Sequence, residues 1–243
     1  MITGEEIYRD LLKKITELEY MPGDALSENE LCAAYKCSRH MVRDAFSRLK
    51  EKGLLEVHPH RGSYVSLIDL KQIEDILFLR EAVETAAVSA IIRETDPGDL
   101  PELLAGAIEE QKTASAGAEA DLPAYFRADD RFHGILLEKA GRASLYRLLE
   151  DEYIHLRRWR NLEIRTTRRI PALIQEHEAI RDAVLHRDAA EASVLLYRHF
   201  DTLKFAASVD EGRDNSYFYN IILKEKENEI VENPKKCQTA VRI

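Results

Sequence analysis

The spacing of apolar residues predicts three short helices and a β-hairpin near the start of the chain. Apolar positions recur every three to four residues, which indicates helices at about 5–19, 27–35 and 38–52. Two short alternating stretches then predict paired strands at 54–57 and 63–65. Ser27 and Glu30 form a capping-box pattern, and Gly53 stands where a left-handed helix end is expected.

Helical spacing continues through the following part of the chain. It predicts six helices at about 70–95, 98–117, 121–140, 142–165, 171–187 and 188–209. No strand pattern interrupts them, so this part is expected to be an all-helical bundle. We therefore expect a mostly α protein with a small domain at 1–66, a helical domain at 70–209 and a weakly patterned tail at 210–243.

Composition and charge narrow the class of protein. The 243 residues are 45% hydrophobic, which is enough for two cores, and the net charge is −9. The segment 36–61 nevertheless holds seven basic residues against three acidic ones. Neither a long apolar run nor a leader pattern is present, which argues against a membrane span and against secretion. Three cysteines without disulfide or zinc-site spacing favour a reducing cytoplasm.

The basic residues of the third predicted helix suggest contact with double-stranded DNA. Arg39 and Arg43 are one turn apart, opposite an apolar stripe that would hold the helix to its core. Such a pair is more often a solvated face, but three helices followed by a basic hairpin tip are the order of a winged helix-turn-helix. Arginine pairs well with guanine, and a serine hydroxyl reaches phosphate. The predicted DNA contacts are Ser38, Arg39, Arg43, His60, Arg61 and Gly62.

The same region resembles the GntR family of transcription regulators. The matching segments are PGDALSENEL at 22–31, SRHMVRDAFSRL at 38–49, KGL at 52–54 and RGSYV at 61–65. The resemblance implies a winged-helix domain in which Arg39, Arg43 and Gly62 contact bases or DNA backbone. It also implies a homodimer on a palindromic operator. Some family members have a DNA-contacting arginine where Asn29 stands here, so the operator sequence does not transfer.

Four titratable residues lie on the apolar stripes of three predicted helices. Asp129 and His133 are one turn apart on one helix, and His177 and His199 lie on two others. A single inward histidine is more often a hydrogen-bonded core residue. Three imidazoles and a carboxylate together favour a divalent metal such as zinc, nickel, manganese or iron.

These histidine segments resemble the FCD domain, which belongs to the FadR-type branch of the GntR family. The matching residues are DDRFH at 129–133, EHEAI at 176–180 and His199, in this order on successive helices. The resemblance implies an Asp-His-His-His metal site formed by Asp129, His133, His177 and His199.

An arginine on another apolar stripe suggests an effector site. Arg80 needs a buried anion, and either the carboxylate of an effector or Glu84, one turn later, satisfies it equally well. Arg157 and Arg160, on a later helix, are candidates to line the same cavity, although a solvated face is more typical for most of the arginines of that helix. We expect a transcription regulator, not an enzyme, in which a small carboxylate at a metal-organised pocket modulates DNA binding. The alternatives are a metal-dependent hydrolase and a purely structural metal site.

Overall fold

The structure is a computed structural model that describes residues 2–94, 97–117, 119–148, 150–205 and 217–219. Its contacts divide the chain into two units, residues 1–73 with 210–243 and residues 74–209. Most of the predicted tail at 210–243 lies outside the described residues. The predicted domain limits at 66 and 70 stay a prediction.

Three helices form the core of the first unit, and they match the predicted ones closely. They are α1 (Gly4–Thr16), α2 (Glu28–Tyr35) and α3 (Arg39–Glu51). Ser27 caps α2 by accepting a hydrogen bond from the amide of Glu30 at 3.4 Å, and Gly53 has a φ of 69° as expected for a left-handed helix end. α3 packs on α1 through its predicted apolar stripe, which is buried: Val42, Ala45, Phe46 and Leu49.

A three-stranded sheet completes the winged-helix arrangement. The predicted hairpin is confirmed as β2 (Leu55–His58) and β3 (Gly62–Val65), which pair antiparallel. A further strand, β1 (Ala25–Leu26), pairs with the other edge of β3. Two residues are too few to show an alternating pattern, so β1 could not be predicted from the sequence.

A second, smaller sheet holds part of the C-terminal tail. The strand β4 (Ile68–Asp69) pairs in parallel with β5 (Phe218–Tyr219). The side chain of Phe218 is buried there, so this residue of the tail packs beside β4.

The remaining elements are helical, as predicted. They are α4 (Leu70–Arg93), α5 (Leu100–Ser115), α6 (Leu122–Lys139), α7 (Ala143–Leu148), α8 (Glu150–Thr167), α9 (Ile170–Leu185) and α10 (Ala189–Phe200). The helix predicted at 142–165 is described on both sides of residue 149, as α7 and α8. The last one ends at Phe200, because Asp201 leaves the helical region with a ψ of 60°. A short 3₁₀ turn follows at Leu203–Phe205. Among the described residues, no helix is both long and apolar enough to cross a membrane.

Candidate metal centre and nucleic-acid interface

The exposed face of α3 carries the two arginines predicted to read DNA. Arg39 donates to the side-chain oxygen of Asn29 on α2 at 2.8 Å, and Arg43 pairs with Glu28 at 3.0 Å. The Arg43 side chain is 64% exposed. Both guanidinium groups therefore lie at the surface while the opposite face of α3 packs on the core.

Ser38 begins α3 but does not cap it with its side chain. Its backbone is extended, with φ −77° and ψ 154°, as expected of the residue before a helix. Its hydroxyl makes no capping hydrogen bond. The residue is exposed, so the hydroxyl remains available to an external acceptor such as a phosphate.

The predicted wing tip is an exposed turn between β2 and β3. His60 and Arg61 are exposed, and Tyr64 donates a hydrogen bond to the carbonyl of Arg61 at 2.8 Å. Gly62 has a φ of 120°, a conformation that strains any residue with a Cβ atom. The tip thus presents a cation and an imidazole on a fixed backbone.

Three buried histidines bring their Nε2 atoms together inside the helical unit. The Nε2 atoms of His177 and His199 are 3.2 Å apart, and those of His199 and His133 are 3.3 Å apart. None of the three residues is more than 3% exposed. They come from α6, α9 and α10, as the apolar stripes predicted, and among the described residues they form the one cluster suited to a metal.

The outer nitrogen of each imidazole faces an acceptor. The Nδ1 atom of His133 lies 2.5 Å from a carboxylate oxygen of Glu84, that of His177 lies 2.7 Å from the amide oxygen of Gln111, and that of His199 lies 2.8 Å from Glu176. An imidazole that is neutral and has an acceptor at Nδ1 carries its proton there and leaves a lone pair on Nε2. Three Nε2 atoms directed at one point in this way form a donor set for a cation. Metal-binding histidines are held in this way by their outer nitrogens.

Asp129 lies beside the three histidines and is also held by an arginine. Its carboxylate oxygens are 3.7 Å from Nε2 of His177 and 3.9 Å from Nε2 of His133. Arg160 donates to the same carboxylate at 2.7 Å and is only 7% exposed, so of the two positions considered for it the cavity wall is found and the solvated face is not. Asp130, the next residue along the chain, pairs with Arg157.

The electrostatics keep the acid charged and two of the imidazoles neutral. Burial raises the pKa of Asp129, but Arg160 outweighs it and holds that pKa well below its usual range. Burial lowers the pKa of His177 well below its ordinary value, and it lowers the pKa of His199 to about 4. Neutral imidazoles and an ionised carboxylate are the protonation states that metal binding requires.

Two residues that hold the histidines were not identified from the sequence. Gln111 is fully buried on α5, on the same apolar stripe as Leu104 and Ile108. A polar residue in that stripe is the signal that could have revealed it. Glu176 gave no such signal, because it lies at the edge of the stripe on which His177 is central.

Arg80 lies beside a narrow cavity next to the histidine cluster. It is buried and pairs with Glu84 at 3.0 Å, which is the internal partner considered from the sequence. Burial raises the pKa of Glu84, but His133 and Arg80 outweigh it and lower that pKa to about 2. The cavity has a volume of about 10 Å³. Its lining is three arginines, one acid, two phenols and two apolar side chains: Arg80, Phe126, Asp130, Tyr146, Tyr153, Leu156, Arg157 and Arg160.

The fold is that of a DNA-binding regulator with a second, helical domain, and comparison with known proteins gives the family. Residues 3–65 match the model of the bacterial regulatory proteins of the gntR family, and residues 75–202 match the FCD domain. The chain belongs to the GntR family of DNA-binding transcription regulators and carries an FCD domain.

Its curated relatives are transcription regulators and not enzymes. An uncharacterized HTH-type regulator from an unstable DNA locus of Streptomyces ambofaciens is 33% identical, over 80% of each chain. The HTH-type repressor RspR of Escherichia coli is 29% identical, over 88% of this chain and 93% of its own. A solved GntR regulator from Rhodococcus has the same fold, with a TM-score of 0.67 at 24% identity over 87% of this chain and 99% of its own.

Proposed function

We propose that the FCD domain of this regulator holds a divalent transition metal and that a small carboxylate bound beside it modulates operator binding. The ligands of the metal are Asp129, His133, His177 and His199. One observation carries the proposal. The buried Nε2 atom of His199 lies 3.2 Å from that of His177 and 3.3 Å from that of His133, while the Nδ1 atom of each histidine faces an acceptor. When bound, the metal supplies open coordination positions for an anionic oxygen.

The cavity beside the cluster supports a carboxylate as the effector. Arg80 and Arg160 both line it, and each also contacts an acid next to the histidines, Glu84 and Asp129 respectively. At about 10 Å³ the cavity has room for little more than a water molecule. An effector therefore enters only if lining side chains move, and a carboxylate competes with the internal acids for the guanidinium groups.

The DNA interface is formed by α3 and the wing. Ser38, Arg39 and Arg43 reach the major groove, and the exposed wing tip at 60–62 reaches the adjacent backbone or minor groove. A homodimer places two such units on a palindromic operator, which is the common arrangement among GntR regulators. The effector acts by favouring one pose of the two winged helices over another. The cytoplasm, expected from the sequence, fits a regulator that meets DNA and metabolites.

Metal analysis tests the first half of the proposal. The protein is stripped with a chelator, dialysed against zinc, nickel or manganese, and its metal content is measured by mass spectrometry. We expect one equivalent per chain in the natural protein and a loss of binding in His177→Ala. His186→Ala is the matched control, because His186 lies at the end of the same helix but is exposed. Equal metal content in both variants would refute the site.

A thermal-shift screen of small carboxylates tests the second half. Stabilisation by a carboxylate is expected only in the metal-loaded protein, and it should disappear after chelation and in Arg80→Lys, which keeps the charge but not the planar fork. If chelation lowers the melting temperature and no carboxylate has an effect, the metal is structural and the effector proposal is wrong.

The arrangement does not favour hydrolysis. A metal hydrolase needs a general base beside the metal-bound water. The two acids that flank His177 are both engaged elsewhere: Glu176 bonds the Nδ1 atom of His199, and Glu178 pairs with Lys112 at 2.9 Å.

A further inference from the structure

The turn between α2 and α3 holds a pair of cysteines that the proposed metal and DNA sites do not use. Cys32 lies on α2, and Cys37 immediately precedes Ser38, the residue at which α3 begins. Both thiols are unbridged and partly exposed. The pair therefore lies directly in the helix-turn-helix and in reach of solvent.

The end of α2 brings these two residues together. Lys36 adopts a left-handed conformation with φ 50° and ψ 47°. The amide of Cys37 donates to the carbonyl of Cys32 at 3.1 Å, and that of Lys36 donates to Ala33 at 3.4 Å. These two bonds define a Schellman motif, in which the side chains of the two outermost residues contact each other. The outermost residues here are Cys32 and Cys37.

The contact has the local geometry from which a disulfide can form. A disulfide needs two residues whose Cα atoms are within about 7 Å and whose side chains point towards each other. The Schellman backbone places Cys32 and Cys37 side by side, so bringing the two sulfur atoms together is the main movement required. Burial raises the pKa of the Cys37 thiol, and the nearby Cys32 sulfur raises it further. Cys37 is therefore suited to act second, as the thiol that resolves an oxidised Cys32.

We propose that Cys32 and Cys37 form a disulfide on reaction with a hydroperoxide and that this oxidation weakens DNA binding. The thiolate of Cys32 attacks the terminal oxygen of the hydroperoxide, the O–O bond breaks, and the other oxygen leaves with a proton as an alcohol or water. The sulfur of Cys37 then attacks the sulfenic acid on Cys32, the S–O bond breaks, and water leaves. Two thiols are oxidised and one hydroperoxide is reduced.

The position of Cys37 explains why oxidation affects DNA binding. The sulfur–sulfur distance must shorten to about 2.05 Å, which pulls Cys37 towards α2. Ser38 and Arg39 follow Cys37 directly, so the start of the recognition helix moves with it. Bidentate contacts from arginine to a base depend on exact placement, and losing one costs about tenfold in affinity.

The test uses the full chain with Cys237→Ser, so that Cys32 and Cys37 are its only cysteines. A DNA duplex is first selected from a random pool by the reduced protein. After treatment with hydrogen peroxide, we expect the intact mass to fall by two hydrogens, both thiols to become unreactive, and affinity for the selected duplex to fall by about tenfold. Dithiothreitol should restore the affinity in the same sample, which shows that the protein remained folded.

Two variants make the outcome decisive. Cys37→Ser should stop at a sulfenic acid on Cys32 that a cyclic 1,3-dione traps. A chain with both Cys32→Ser and Cys37→Ser should keep its DNA affinity after peroxide. The proposal is wrong if no disulfide forms, if it forms without a change in affinity, or if the double variant loses affinity to the same extent.

Discussion

Glu84 connects the proposed metal site to the proposed carboxylate site. One carboxylate oxygen lies 3.0 Å from the guanidinium of Arg80 in the cavity wall, and the other lies 2.5 Å from Nδ1 of His133. Both contacts are buried, where water screens them little. An anion that competes for Arg80 would thus change the environment of His133, a proposed metal ligand, without touching it.

Replacing Glu84 by glutamine should weaken metal binding. Glutamine can still accept from His133, but it removes the charge that holds this imidazole and Arg80 together. We expect zinc affinity to fall by about 10- to 100-fold, measured by competition with a chromophoric chelator. Glu178→Gln is the control, because Glu178 pairs with Lys112 and bonds none of the three histidines in any described contact. An equal effect in both variants would show that Glu84 has no specific role.

The two neutral histidines make the metal-free protein sensitive to mild acid. His177 and His199 have lowered pKa values when folded, about 4 for His199, against an ordinary value of 6.5. Between about pH 6.5 and 4 the unfolded chain therefore binds more protons, so stability falls as the pH falls. Each histidine contributes a slope of up to about 1.4 kcal/mol per pH unit.

Urea unfolding in the presence of a chelator measures this slope. The free energy of unfolding should decrease steadily from pH 6.5 to about 5.5, before the carboxylates of the unfolded chain begin to bind protons. Replacing both His177 and His199 by glutamine should flatten the dependence. A slope that is unchanged in that variant would place the titrating groups elsewhere.

At the scale of single elements, the spacing of apolar residues predicted most of the helices and the faces that they bury. The buried stripe of α3 and the inward histidines of α6, α9 and α10 follow from a spacing of three to four residues. Partners from separate helices were harder to predict, because periodicity places a side chain on a face but does not say what lies opposite. For this reason the sequence missed Gln111 beside His177 and the burial of Arg160 against Asp129. Strand β1 was missed because it has only two residues.

The exposed face of α3 can be tested directly. Arg43→Ala should lower affinity for a selected duplex by about 1–3 kcal/mol and relax base preference at one position, since a bidentate contact to guanine is lost. Arg9→Ala is the matched control: Arg9 is equally charged and exposed, pairs with Glu5 on α1 and lies outside α3 and the wing. Fluorescence anisotropy with single-base variants of the duplex measures both effects. A uniform loss over all duplexes would make Arg43 a phosphate contact.

At the scale of the whole molecule, binding at the metal centre and binding of DNA must be linked if this protein is a sensor. Linkage is reciprocal: if zinc changes affinity for the selected duplex by some factor, the duplex must change affinity for zinc by the same factor. A coupling of about 1–3 kcal/mol corresponds to about 5- to 150-fold. Both affinities can be measured on one preparation at constant salt, which matters because contacts to phosphate make DNA affinity strongly dependent on salt.

In the natural protein we expect zinc to change the duplex affinity by such a factor. In His177→Ala we expect zinc to leave it unchanged, at the value of the metal-free natural protein. A factor different from one arises only if both ligands bias the same equilibrium between conformations, since a ligand that binds two conformations equally well leaves their populations unchanged. Zinc that stabilises the fold but leaves duplex affinity unchanged would reduce the metal to a structural element. The carboxylate would then have to act alone on the winged helices, and its own coupling to DNA would have to survive chelation.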